Sequence, residues 1–174
     1  MRKWELARGF TLLELIITLS VLAVLFISAM PAFKSITERA QVEQLTTELT
    51  GFFQYARSEA VLRNKDLYVH ITFPQGISHS VPNWSMTLTD SDVTGAGTTI
   101  SQLSGNAFTS ISVFHTYSSD QISFDGVRGR AKSGTFKLFP TNDTTKQIEL
   151  RTSNPPGRIK VCGAEGDLYG YKEC

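Results

Sequence analysis

An α+β fold, with a long N-terminal helix followed by an antiparallel two-sheet β domain, is predicted by three features of this 174-residue chain. A charge-free run from Leu15 to Phe33 passes directly into a stretch with apolar residues at three- and four-residue spacing. The period switches to two after Lys65-Asp66, as it does when a chain leaves a helix for half-buried strands. Short apolar-alternating segments separated by Gly, Pro, Asn and Asp then fill the remainder, which is the pattern of two packed antiparallel sheets.

The first element begins with a basic leader, residues 1–9, carrying Arg2, Lys3 and Arg8 and ending in Gly9. From Leu15 to Phe33 there is no charge, and only Thr18, Ser20, Ser28 and Pro31 interrupt the apolar character. A helix rising about 1.5 Å per residue needs about 20 such residues to cross a hydrocarbon core. Positive charge ahead of the run keeps the N-terminus in the cytoplasm and sends the rest outward. Residues 10–33 are therefore expected to form the transmembrane half of the helix, and residues 34–64 its amphipathic half. In that second half Leu45, Leu49, Phe52, Phe53, Ala56 and Ala60 line one face, with Glu38, Glu43, Glu48, Arg57 and Glu59 on the wet faces. Pro31 and Gly51 are expected to bend or loosen the helix locally.

Residues 65–174 are expected to form one globular β domain, without repeats. Strands are predicted at Leu67–Phe73, Trp84–Leu88, Ile111–Tyr117, Gln121–Phe124, Thr135–Phe139, Gln147–Thr152 and Arg158–Cys162. Pro74-Gln75-Gly76 closes the first of them, and the hydroxyl-rich segment from Thr89 to Gly105 reads as a long exposed loop.

Charge is nearly balanced at +1, but it is unevenly placed. Residues 66–125 hold five acids (Asp66, Asp90, Asp92, Asp120, Asp125) and no lysine or arginine, whereas residues 126–174 hold nine bases against five acids. Arg128, Arg130 and Lys132 crowd one turn region, and Arg158 and Lys160, two apart on a strand, point the same way. Such a patch suits phosphates or an acidic neighbour; the plainer reading is a solvated rim or inter-subunit salt bridges. The two cysteines, Cys162 and Cys174, are close in sequence, and in an exported domain such a pair reads as a disulfide that pins the C-terminus.

No complete catalytic motif is present. His70, His79 and His115 form no local cluster with a cysteine, Gly95-Ala96-Gly97 has no following lysine or helix, and Asp125-Gly126 is a turn signal. The sequence therefore predicts a protein that is not an enzyme and holds no cofactor or metal.

Glu14 is the anomaly of the N-terminal run, since a carboxylate at membrane depth costs roughly 2.5–3.5 kcal/mol and normally has a partner or a function. An ordinary secretory signal has a shorter apolar region, and a plain signal anchor explains neither the Gly9–Phe10 junction nor Glu14. Gly9-Phe10-Thr11-Leu12-Leu13-Glu14 resembles the class III signal of type IV prepilins and pseudopilins. The resemblance implies cutting between Gly9 and Phe10 by a prepilin peptidase, N-methylation of Phe10, and a type IV pilin-like fold. The new amine at Phe10 is then a natural counter-ion for Glu14 of a neighbouring copy, formed only on assembly.

Further along, Phe124-Asp125-Gly126 with Gly129, Gly134-Thr135-Phe136, and Gly157-Arg158-Ile159-Lys160-Val161-Cys162 resemble the GspH/FimT group of minor pilins and pseudopilins. That resemblance implies a structural subunit of a type IV pilus, in the assembly-priming or tip complex, with other minor pilins or pseudopilins as partners. It places the helix in the inner membrane and the β domain in the periplasm, then in the pilus or pseudopilus. Three other readings stay open: an H-type pseudopilin of a type II secretion system, a DNA-binding minor pilin for DNA uptake in natural transformation, and a monomeric membrane-anchored domain that never polymerises. Some members of the group bind DNA through a terminal glycine-arginine motif with alternating arginines. This chain keeps Arg158, has Lys160 at the next alternate position, and carries Cys162 where a third base would stand.

Overall fold

The computed structural model describes residues 10–73, 84–153 and 157–174, without the side chains of residues 28–32. The leader with Gly9, the Pro74-Gln75-Gly76 turn, His79 and the Asn154-Pro155-Pro156 stretch lie outside the described residues. Helix α1 spans Leu12–Arg63 and runs through Pro31 and Gly51 without a break. The chain divides into two compact units, one ending at Thr37 and the other beginning at Glu38, and α1 contributes to both.

In the first unit every described side chain from Phe10 to Ile27 is exposed, including Leu12, Leu13, Leu15, Ile16 and Phe26. Among the described residues no helix is long and apolar enough to cross a membrane.

In the second unit α1 buries the face its spacing predicts: Leu45, Leu49, Phe52, Phe53, Ala56 and Ala60, joined by Val42. Asn64 ends the helix in the left-handed conformation (φ 48°), a role that asparagine tolerates, and the Lys65 amide returns to the Ala60 carbonyl at 3.2 Å. Eight strands follow: β1 (Leu67–Ile71), β2 (Ser85–Thr89), β3 (Thr99–Ser104), β4 (Ile111–His115), β5 (Gln121–Phe124), β6 (Gly134–Pro140), β7 (Ile148–Ser153) and β8 (Arg158–Gly163). They form two antiparallel four-stranded sheets, in the orders β3-β2-β1-β5 and β4-β6-β7-β8.

The seven strands read from the sequence are all present, with ends moved by up to two residues. The segment expected to be a loop from Thr89 to Gly105 instead contains β3. Its register with β2 shifts where Leu88 pairs with Ser101 but Thr89 pairs with Thr99, leaving Ile100 as an extra residue. The shift lets Ile100 and Leu103, three apart, both pack on the core. It thereby erases the two-residue alternation by which a strand is recognised.

Phe53 ties the helix to both sheets. Its ring lies 5.9 Å from that of Phe124 on β5 and 5.6 Å from that of Phe136 on β6, and it is wholly buried. Phe136 in turn meets Tyr117, His115 and Phe73, at centroid separations of 5.2, 5.8 and 6.5 Å. Buried His115 adds a polar tie: the Phe73 carbonyl, 3.0 Å away, can only accept, so Nε2 carries the proton it receives. Gly134 opens β6 because Tyr117 lies flat on it; a Cβ there would fall 2.3 Å from the ring. Gly126 is required at the helix–sheet junction for the same reason, with a Cβ falling 2.5 Å from the Lys65 backbone. Its amide donates to Asp66 Oδ1 at 2.8 Å.

Two consequences can be measured. Phe53→Ala should destabilise the β domain by about 3–5 kcal/mol, because the cavity opens between helix and both sheets, whereas Leu62→Ala on the exposed face should change stability by less than about 0.5 kcal/mol. Denaturant titration at neutral pH reads both.

The second consequence is a pH dependence. Burial raises the Tyr117 phenol well above its ordinary value of 10.0, against a lowering by its 2.8 Å hydrogen bond to Thr152. A group whose proton is held more tightly in the folded state contributes stability that is complete below its unfolded pKa and lost as pH rises through the folded value. Stability should therefore fall with pH above about 10, and Tyr117→Phe should flatten that alkaline slope. An unchanged slope in the variant would show that another group sets it.

Candidate functional site

The sequence-predicted site residues fall into an N-terminal set and a basic set. In the first unit, Thr11 precedes α1 and its side-chain oxygen accepts from the Glu14 amide at 3.2 Å, while the Leu15 amide meets the Thr11 carbonyl at 3.2 Å. Thr11 is thus the N-cap, and Thr11-Leu12-Leu13-Glu14 has the spacing of a capping box. The sequence reading missed this local signal. Glu14 stands in the first turn, where the positive end of the helix dipole favours a carboxylate. Glu14 is exposed, and among the described residues its carboxylate meets no partner. Phe10 is 79 % exposed, one residue outside the cap.

The five bases of the second unit occupy different settings. Arg158 and Lys160 are both exposed on β8, with Ile159 between them packed on the core. Lys160 Nζ donates to the Cys174 carbonyl at 3.0 Å, and Lys132 Nζ to Ser119 Oγ at 2.9 Å. Arg130 packs its side chain against Gly157, while Arg128 lines a hollow beside α1. The structure adds two bases to this set. Arg151 lies directly opposite Lys160 across the β7–β8 ladder, and Arg57 of α1 donates to the Gly157 carbonyl at 3.3 Å. Arg57 is one hundred residues from Gly157 in sequence, so no local pattern points to the contact.

Glu149 organises the outer face of the second sheet. It is buried, and it accepts from Arg151 Nε at 2.6 Å and from Lys137 Nζ at 3.2 Å. Cys162 lies opposite it on β8, bonded to Cys174, with Cα atoms 4.9 Å apart. The Cys174 sulfur lies 3.8 Å from Glu149 Oε2. The Cys174 amide also donates to the Gly163 carbonyl at 3.0 Å, so the tail is held against β8 by backbone and side chain together. Among the described residues no group of three or more His, Cys, Asp or Glu is placed to hold a metal ion.

The model of the family described as "Type II transport protein GspH" matches residues 45–155, more than half of the chain. The chain belongs to the GspH family. A second model, the prokaryotic N-terminal methylation motif, matches residues 6–30 of this GspH-family chain. A crystal structure of the type IV minor pilin FimU of Pseudomonas aeruginosa PAO1 superposes on it with a TM-score of 0.58. The two are 19 % identical, and the match covers 72 % of this chain and 91 % of that one. A second crystal form of FimU gives a TM-score of 0.54 at 20 % identity, covering 68 % and 90 % of the two chains. No curated protein sequence matches. The long helix followed by two four-stranded sheets is thus a type IV pilin fold, and the family is that of minor pilins and pseudopilins.

The Glu149 arrangement carries its own test. Removing a cation leaves a buried carboxylate short of compensation, whereas neutralising the carboxylate leaves two bases that can turn to water. Lys137→Met with Arg151→Met should therefore cost about 3–5 kcal/mol, and Glu149→Gln clearly less. Equal losses in urea titrations would mean that Glu149 draws its compensation from elsewhere.

Proposed function

We propose that this GspH-family chain is a minor pilin of a type IV pilus, a structural subunit of the assembly-priming or tip complex. The observation that carries the reading is the coincidence of the Gly9–Phe10 junction, the capped α1 starting at Leu12, and an acid at Glu14, ahead of a pilin-type β domain. The leader is removed by a prepilin peptidase on the cytoplasmic side, and Phe10 becomes the methylated N-terminus. Residues 10–33 hold the subunit in the inner membrane with the β domain in the periplasm, and other minor pilins or pseudopilins are its partners.

Glu14 has two roles that follow one another. Its backbone closes the helix cap in the single subunit, and its carboxylate, exposed and without a partner among the described residues, receives the Phe10 amine of a neighbour on assembly. An ion pair that exists only between subunits makes insertion reversible and assembly specific, since the lone carboxylate is costly in lipid and compensated in the bundle. The family's description as a type II transport protein favours one alternative, an H-type pseudopilin with the same processing and architecture. The genes beside this one discriminate: other minor pilins support the pilus, and a secretion ATPase with its secretin supports the second machine.

Mass measurement of the mature protein should show loss of Met1–Gly9 and gain of one methyl group. Glu14→Ala should keep that mass change and the membrane location, yet be absent from the isolated assembly. An intact N-terminus sinks the reading, and normal incorporation of the alanine variant removes the proposed role of Glu14.

A further inference from the structure

Arg57, Arg128, Arg130 and Arg158 differ from most bases of the second unit. Arg39, Arg63, Lys65, Lys146 and Lys172 each meet a carboxylate, at separations of up to 3.3 Å. Among the described residues none of the four arginines does. They also lie together. A Cβ on Gly129 would fall 2.7 Å from Arg57 Cγ, and one on Gly157 would fall 3.0 Å from Arg130 Cγ. Arg57 donates to the Gly157 carbonyl, Arg158 is the next residue, and Arg128 and Arg57 line one hollow of about 540 Å³.

That hollow is apolar beneath its cationic rim. Val61, Leu62 and Val127 line it and are 45 %, 80 % and 72 % exposed. It adjoins a second hollow of about 300 Å³, lined by Thr47, Thr50, Gly51 and by Val161 and Tyr171 of the β domain; Gln54 belongs to both. The two follow one stripe of α1 from Thr47 to Leu62, a groove of about 22 Å at 1.5 Å per residue. At Gly51 a Cβ would meet nothing within 4 Å, so the glycine leaves an open notch.

We propose that this groove docks an acidic, amphipathic segment of another pilin-type subunit, with apolar side chains against Val61, Leu62 and Val127 and carboxylates against Arg57 and Arg128. The proposal rests on the chain being an assembling subunit. Charge complementarity selects an acidic occupant, because four grouped guanidinium ions without carboxylates repel one another until a partner supplies them. The apolar floor selects a protein over a nucleic acid, since a duplex meets bases with phosphates but has no side chains to cover leucine and valine. The notch at Gly51 and the small Thr47 and Thr50 allow close approach of an elongated backbone, as small residues do wherever helices touch.

The test places photoreactive benzoylphenylalanine at Ser58 of the full-length protein in its own membrane, and the cross-linked peptide is sequenced. The expected partner is a second subunit with its own class III signal, joined through a peptide that contains Asp or Glu among apolar residues. Arg128→Glu should lower the cross-link yield about tenfold or more, because an attractive rim charge becomes repulsive. Gly51→Leu should lower it equally, while protease resistance stays that of the wild type because the added side chain enters open space. Cross-links to nucleic acid or lipid, a basic peptide, no cross-link, or yields that ignore both variants would overturn the groove assignment. Leader loss is measured on the same sample: an unprocessed protein overturns the pilin reading and the groove together, whereas a processed, assembled protein without the cross-link overturns the groove alone.

Discussion

The second unit depends on one constraint: a helix and two separate sheets must exclude water from a common centre, and Phe53 touches both sheets there. Among the described residues no ladder joins one sheet to the other, and buried side chains make the join. Aromatic rings suit this place because each buries a large apolar area with few rotatable bonds. Around Phe53 the rings of Phe124, Phe136, Tyr117 and Phe73 meet in tilted or edge-on pairs. The glycines at Gly126 and Gly134 follow from this packing, since both stand where a neighbour has taken the space of a Cβ. Two of the glycines in the motifs that resemble those of the family are thus marks of close packing.

The legible parts of this architecture are those whose periodicity is local. The buried face of α1 could be read from Leu45 to Ala60, and seven strands from their alternation. β3 could not, because its irregular register with β2 places Ile100 and Leu103 three residues apart on the same side. At the N-terminus the Thr11–Glu14 cap is readable from four residues, although the same glutamate also reads as a charge at membrane depth. The basic residues show the opposite limit. Arg128, Arg130, Lys132, Arg158 and Lys160 look alike in sequence, yet their settings are decided by contacts with Gly157, Ser119 and Cys174. Arg57, read as a solvated helix residue, lies beside Gly129 and donates to the Gly157 carbonyl, contacts made far along the chain.

Polar chemistry is distributed with equal economy. On the outer face of the second sheet one buried carboxylate, Glu149, holds two cations from β6 and β7 and lies against the disulfide that fixes the tail. The sheet face is therefore organised by charge where the inner face is organised by rings. Among the described residues Arg57, Arg128, Arg130 and Arg158 stand outside that network.

The irregular register at β3 has a bearing on solubility. β3 is an edge strand of six residues, Thr-Ile-Ser-Gln-Leu-Ser, with no lysine, acid or proline to discourage another strand from pairing with it. A straight edge of that composition invites sheet-to-sheet aggregation, above all for proteins stored side by side at high local concentration. The extra residue at Ile100 breaks the even row of backbone donors and acceptors and twists the strand. The irregular edge is thereby a poorer template for a second strand than a straight one of the same composition.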